Sequence, residues 1–140
     1  MSEPDDSMNA FRIPSPAKFT ASPLRQRQPR IKDEAHCTWI RSLPCLVTGQ
    51  RPAECAHIRF GDLRYGKPQT GLGQRPSDIW AVPLLPSLHR LDKDSQHSGG
   101  ELAFWQKHHI DPCIVALALW AHSGDDEAAM HILRAARTRQ

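Results

Sequence analysis

The chain has 140 residues, 39% of them hydrophobic, and 18 Lys and Arg against 15 Asp and Glu give a net charge of +3. That length holds one domain at most, and the mild basicity permits nucleic-acid binding without arguing for it. No apolar run approaches the roughly eighteen residues of a membrane span, no signal-peptide pattern opens the chain, and Cys37, Cys45, Cys55 and Cys113 form no Cys-x-x-Cys pair, so a cytoplasmic protein with reduced thiols and no membrane partner is expected.

Residues 1–33 carry Pro4, Pro14, Pro16, Pro23 and Pro29 and no apolar period, which predicts a disordered tail. Its second half is basic, through Lys18, Arg25, Arg27, Arg30 and Lys32. It reads either as a solvated linker or as an arm that orders on phosphates. Residues 34–43 predict a short helix with Trp39, Ile40 and Leu43 on one side, ended by Pro44. Leu46-Val47 and Ala56-His57-Ile58 then read as the two strands of a β-hairpin around Thr48-Gly49-Gln50-Arg51-Pro52.

Residues 61–78 are irregular, punctuated by Gly61, Gly66, Pro68, Gly71, Gly73 and Pro76 and made cationic by Arg64, Lys67 and Arg75. Loops this long are usually functional or mobile, and a substrate-facing loop is expected. Residues 79–84 read as a buried strand, and Pro86 suits the first turn of a helix carrying His89, whose polar continuation leads to His97. Ser98-Gly99-Gly100 breaks the chain. Residues 101–109 predict a helix that buries Leu102, Phe104 and Trp105. Asp111 and Pro112 suit the N-cap and first turn of another, with Ile114, Val115, Leu117, Ala118 and Trp120 at helical spacing. Residues 125–137 give a last amphipathic helix, acidic at its start and rich in arginine at its end. The expectation is a small α+β fold in three segments: a tail (1–33), a domain (34–122) and a C-terminal helix (123–140).

Three histidines carry the chemistry. Phosphodiester hydrolysis needs an activated water and a cation against an anionic transition state. His57, projecting from a strand, is the candidate base, and His89 and His97 are candidate ligands of one divalent ion. On an ideal helix their spacing of eight residues separates them by about 12 Å, so the helix must end or bend near residues 92–94 for them to converge.

The ordered series Leu43-Pro44-Cys45-Leu46-Val47-Thr48-Gly49, Ala56-His57-Ile58-Arg59, Gly71-Leu72-Gly73-Gln74-Arg75-Pro76-Ser77-Asp78, Trp80-Ala81-Val82-Pro83-Leu84, Leu88-His89-Arg90, Gln96-His97-Ser98, Phe104-Trp105 and Ile110-Asp111-Pro112 resembles a family of small phage and prophage proteins. These are similar to the RecA-dependent nuclease Ref, within the HNH, or ββα-metal, endonuclease superfamily. The resemblance covers residues 36–120. It implies a core of β-hairpin, long loop and helix, and a metal-dependent endonuclease acting on DNA in a bacterial host cell, with a RecA-type recombinase as protein partner. It assigns His57 as the base and His89 and His97 as ligands of one divalent ion, Mg²⁺ first and Mn²⁺ or Zn²⁺ as alternatives. Asp78 is either a third ligand or the group that orients an imidazole. Arg59, Arg75 and Lys67 are the expected nucleic-acid contacts.

Two departures from the superfamily pattern stand out. Ala56 occupies the position where many members carry an acidic or histidine ligand, and Trp80 takes the asparagine position. The paired cysteines that brace many relatives with zinc read here as Cys45-x-x-Thr48 and Leu85-x-x-Leu88, so no structural zinc is expected there. The rival readings are a non-catalytic DNA-binding or recombination accessory protein on the same fold, and a small zinc protein built on Cys37, Cys45 and Cys55. Cys113 and the Phe104-Trp105 pair are expected in the core.

Overall fold

The computed structural model describes residues 30–71, 73–98 and 100–138. The predicted tail lies mostly outside them, but residues 30–33 are ordered, contrary to its expected boundary. The Ile31 amide donates to the Ser77 hydroxyl, Arg30 Nε donates to the Pro76 carbonyl, and the Ile31 carbonyl accepts the Asp78 amide. The last residues before the first helix are thereby strapped to the end of the long loop.

Helix α1 runs Glu34–Ser42. Asp33 caps it, its side chain accepting the His36 amide at 3.0 Å. Strand β1 is Glu54–His57 and strand β2 is Ala81–Leu84. They pair antiparallel, with Ala56 opposite Val82 and His57 opposite Ala81. This corrects the expected hairpin. Leu46-Val47 is a turn rather than a strand, and it bonds to the sheet where the Leu46 amide donates to the Pro83 carbonyl. The true partner of β1 lies beyond the long loop. That loop is not structureless: it holds a tight helical turn, Leu63–Tyr65, closed by Gly66 at φ 63°, and a bridge between Asp62 and Lys67.

After β2 comes one wide helical turn, Ser87–Leu91, closed by the Asp92 amide donating to the Ser87 carbonyl five residues back. Helices α2 (Glu101–Lys107), α3 (Pro112–Ala121) and α4 (Asp126–Thr138) follow. As predicted, Asp111 caps α3, accepting the Cys113 amide at 3.1 Å, with Pro112 in the first turn. Phe104, Trp105 and Cys113 are buried as expected, whereas Leu102 is exposed.

A two-stranded sheet of four-residue strands is marginal in water on its own. Here it is held by one core into which Ile40, Leu46, Ile58, Leu84, Leu119 and Leu133 are fully withdrawn from solvent. Each such burial stabilises by about 1.5–3 kcal/mol, several times what a single surface ion pair contributes. Leu133 and Ala129 of α4 belong to that same core, so the last helix is part of the domain rather than a separate segment. Cys45 sits in it, with Leu85 and Leu88 packed against it. One side of β1, the end of the long loop and the wide turn line the cleft, while all four residues of β2 are buried. No helix among the described residues is long and apolar enough to cross a membrane.

Candidate active site

Strand alternation separates structure from chemistry on β1. Ala56 turns into the core, fully buried, so the position that holds a ligand in many superfamily members faces away from the cleft. Cys55 and His57 turn the other way and line a cleft of about 310 Å³. Nε2 of His57 lies 2.8 Å from Oδ1 of Asp78. A carboxylate only accepts, so this nitrogen carries the proton and Nδ1 keeps the free lone pair. The other oxygen of Asp78 accepts the Asp33 amide at 2.7 Å. With Arg30 3.9 Å away as well, both oxygens are engaged. Of the two roles read for Asp78, this geometry fits the orienting one. Burial pushes the Asp78 carboxyl up, but the Asp33 amide, His57 and Cys37 outweigh it and hold the pKa below the usual carboxylate value.

His89 and His97 also line the cleft, and they meet. The helical turn stops at Asp92, whose backbone is extended, and the chain reverses through a turn in which the Ser95 amide donates to the Asp92 carbonyl. The returning segment bonds the Gln96 amide to the Leu88 carbonyl and the His97 amide to the His89 carbonyl. The two Nε2 atoms end 3.0 Å apart. Two nitrogens each about 2.1 Å from one ion and roughly 90° apart are separated by about 3.0 Å, so the spacing fits two adjacent ligands of a single cation. His97 is biased toward its neutral, ligating form by burial and by its neighbours His89, Arg59 and His57.

Glu54 completes this half of the site, and sequence reading missed it. Its Oε1 accepts from Nδ1 of His89 at 3.0 Å, which leaves the Nε2 lone pair of His89 free to bind. Arg90 grips the same carboxylate with two bonds of 3.0 Å. The Arg90 bonds are the main reason the Glu54 pKa falls below its ordinary value, with His89 adding to them against burial. No local signal marks Glu54, because its partners lie 35 and 36 residues downstream.

Beneath the cleft floor, Glu101 at the start of α2 accepts the Arg59 amide at 2.9 Å, and Gln96 donates to both Glu101 and the His57 carbonyl at 3.2 Å. These bonds tie the end of β1 to the returning segment that carries His97. Burial raises the Glu101 pKa.

The walls are cationic. Arg30, Lys32, Arg41, Arg59 and Arg75 line the cleft against two carboxylates, Glu34 and Asp78. Two of the three expected nucleic-acid contacts, Arg59 and Arg75, thus line the cleft, joined by Arg30 and Lys32 from the predicted basic arm. Lys67 does not. It is 2% exposed, its ammonium donates to the Phe60 carbonyl, and it lies 5.6 Å over the Trp80 ring. It is a buried tie inside the loop rather than a phosphate contact, and burial lowers its pKa.

No curated protein and no solved structure matches the chain. One family model does, and its span contains Glu54, His57, Asp78, His89 and His97 together. That model, described as protein of unknown function (DUF968), matches residues 11–114, well over half of the 140, and the chain belongs to that family.

Proposed function

We propose that this chain is a divalent-metal-dependent endonuclease of the HNH type that hydrolyses phosphodiester bonds in DNA. One observation carries the reading. A histidine with a carboxylate-fixed tautomer and a pair of imidazole nitrogens 3.0 Å apart face the same cationic cleft. His57 takes a proton from water at Nδ1 as the water oxygen bonds to phosphorus, and Asp78 stabilises the imidazolium that results. The bond from phosphorus to the leaving sugar oxygen breaks, and that oxygen ends protonated from solvent. His89 and His97 would hold a divalent ion (Mg²⁺ by the resemblance), which would supply positive charge against the anionic transition state. Arg59 and Arg75 hold the flanking phosphates. A phage or prophage recombination role and a RecA-type partner rest on the resemblance alone.

The test is nicking of supercoiled plasmid by the full chain across Mg²⁺, Mn²⁺ and Zn²⁺, with His57→Ala as control. Cleavage that needs a divalent ion and His57 supports the proposal. DNA binding without cleavage under any of the three replaces it with the accessory-protein reading.

A further inference from the structure

Beside its base, the cleft holds two thiols that this mechanism does not use. Cys37 stands in the first turn of α1, and Cys55 and His57 lie two residues apart on the cleft-facing side of β1. One donor atom from each of the three lies within 4.8 Å of the other two. The remaining cysteines, Cys45 and Cys113, are fully buried in the apolar core, so the two thiols that face the cleft are the two that meet. A tetrahedron with zinc–sulfur bonds of about 2.3 Å has edges of about 3.8 Å, and turning two one-torsion side chains closes the difference. Two thiolate sulfurs are soft donors that suit a thiophilic cation and mismatch Mg²⁺.

We propose that Cys37, Cys55 and His57 form a Cys₂His site for Zn²⁺ or a similar thiophilic divalent ion, with its fourth position open to the cleft. Loading releases the two thiol protons to solvent and leaves two thiolates on the metal. Burial favours the protonated form of both thiols until a cation arrives. The neutral His57 ring has one lone pair. Zinc held on it and a proton taken from water exclude each other, so a loaded site silences the base. Whether or not the chain cuts DNA, the site is read by metal binding.

The experiment is a Co²⁺ titration of the full chain under a phosphine reductant, since Co²⁺ takes the same donors and shows thiolate-to-metal absorption in the near ultraviolet. The expected result is a thiolate band saturating at one equivalent. One equivalent of Zn²⁺ erases it, and millimolar Mg²⁺ leaves it unchanged. Cys37→Ser and Cys55→Ser each cut its intensity by half or more, and the double variant His89→Ala/His97→Ala retains it. Circular dichroism checks each fold, and the half-buried Cys55 provides a variant if the buried Cys37 does not tolerate change. Absence of a thiolate band overturns the site. So does a band undiminished in a folded Cys55→Ser variant, one displaced by Mg²⁺, or one lost when only His89 and His97 are removed.

Discussion

Two histidines that face the same cleft, His57 and His89, each lean on a carboxylate, and the two pairs are built differently. His57 leans on Asp78, whose side chain is 5% exposed and whose second oxygen is occupied by the Asp33 amide. His89 leans on Glu54, whose side chain is 29% exposed and is shared with Arg90. A buried carboxylate with every oxygen bonded holds one tautomer firmly, because any other arrangement strands a polar atom. An exposed carboxylate shared with a surface arginine aims a ring but yields more easily. The rigid pair sits on the proposed base, where the lone pair must point at water. The yielding pair sits on a proposed ligand, where a bound ion itself helps set the geometry.

The largest effect expected is at His57. His57→Ala lowers divalent-dependent plasmid nicking by about 10²–10⁴-fold in protein that circular dichroism shows to be folded. A rate within a factor of a few of the parent would remove the base from the reading. Asp78→Asn comes next, with a loss of about 10²-fold, because an amide can present a donor to Nε2 and reverse the tautomer. That loss appears at saturating Mg²⁺, with the Mg²⁺ requirement unmoved. If the requirement rises instead, Asp78 is a ligand and the two pairs are less different than drawn here. Glu54→Gln does the opposite. It raises the Mg²⁺ needed for half-maximal nicking by about tenfold and largely spares the saturated rate.

A pH series reads the same two carboxylates through stability. Both have pKa values depressed in the fold, so their contribution is complete above their ordinary values of 4.5 and 3.8 and is lost as pH falls through the lower folded ones. Denaturant melts between about pH 6 and pH 3 should show this acid loss, and Glu54→Gln should flatten it. The smallest effects concern the loop cations. Arg75→Ala weakens DNA binding a few-fold and reduces the slope of log affinity against log salt by about 1. Lys67→Met leaves that slope alone, and equal slopes lost from both would return Lys67 to the phosphates.

Local signals were legible in the sequence. Asp111-Pro112 announces the start of α3, and the polar run after His89 announces a bend that brings His97 back. The strand partner was not legible. Four residues of β1 pair with four of β2 across a long loop, and the Leu46-Val47 run beside β1 offers a nearer and equally apolar candidate. The same distance hid Glu54, whose meaning depends on a register that places it opposite Leu84, just before the turn bearing His89. Lys67 misled for another reason. Composition gives it a charge, but only packing reveals that Phe60 and Trp80 enclose it. Cys37 and Cys55 were grouped in the sequence only along with Cys45, because spacing does not show that a helix and a strand bring the first two to His57 while Cys45 turns into the core.

The Ser87–Leu91 turn makes the site a matter of chain length as well as of side chains. Its closing bond spans one residue more than an α-helical turn requires. Deleting one residue between Arg90 and Ser95 would leave every proposed donor in place in the sequence. The turn could then tighten to ordinary helical bonding, and residues beyond it would swing by about 100° around the axis. His97 would lose the backbone bond that sets it over His89. The cleft wall can exchange residues one for one at modest cost, whereas the ten residues from Pro86 to Ser95 act as a ruler whose length cannot drift.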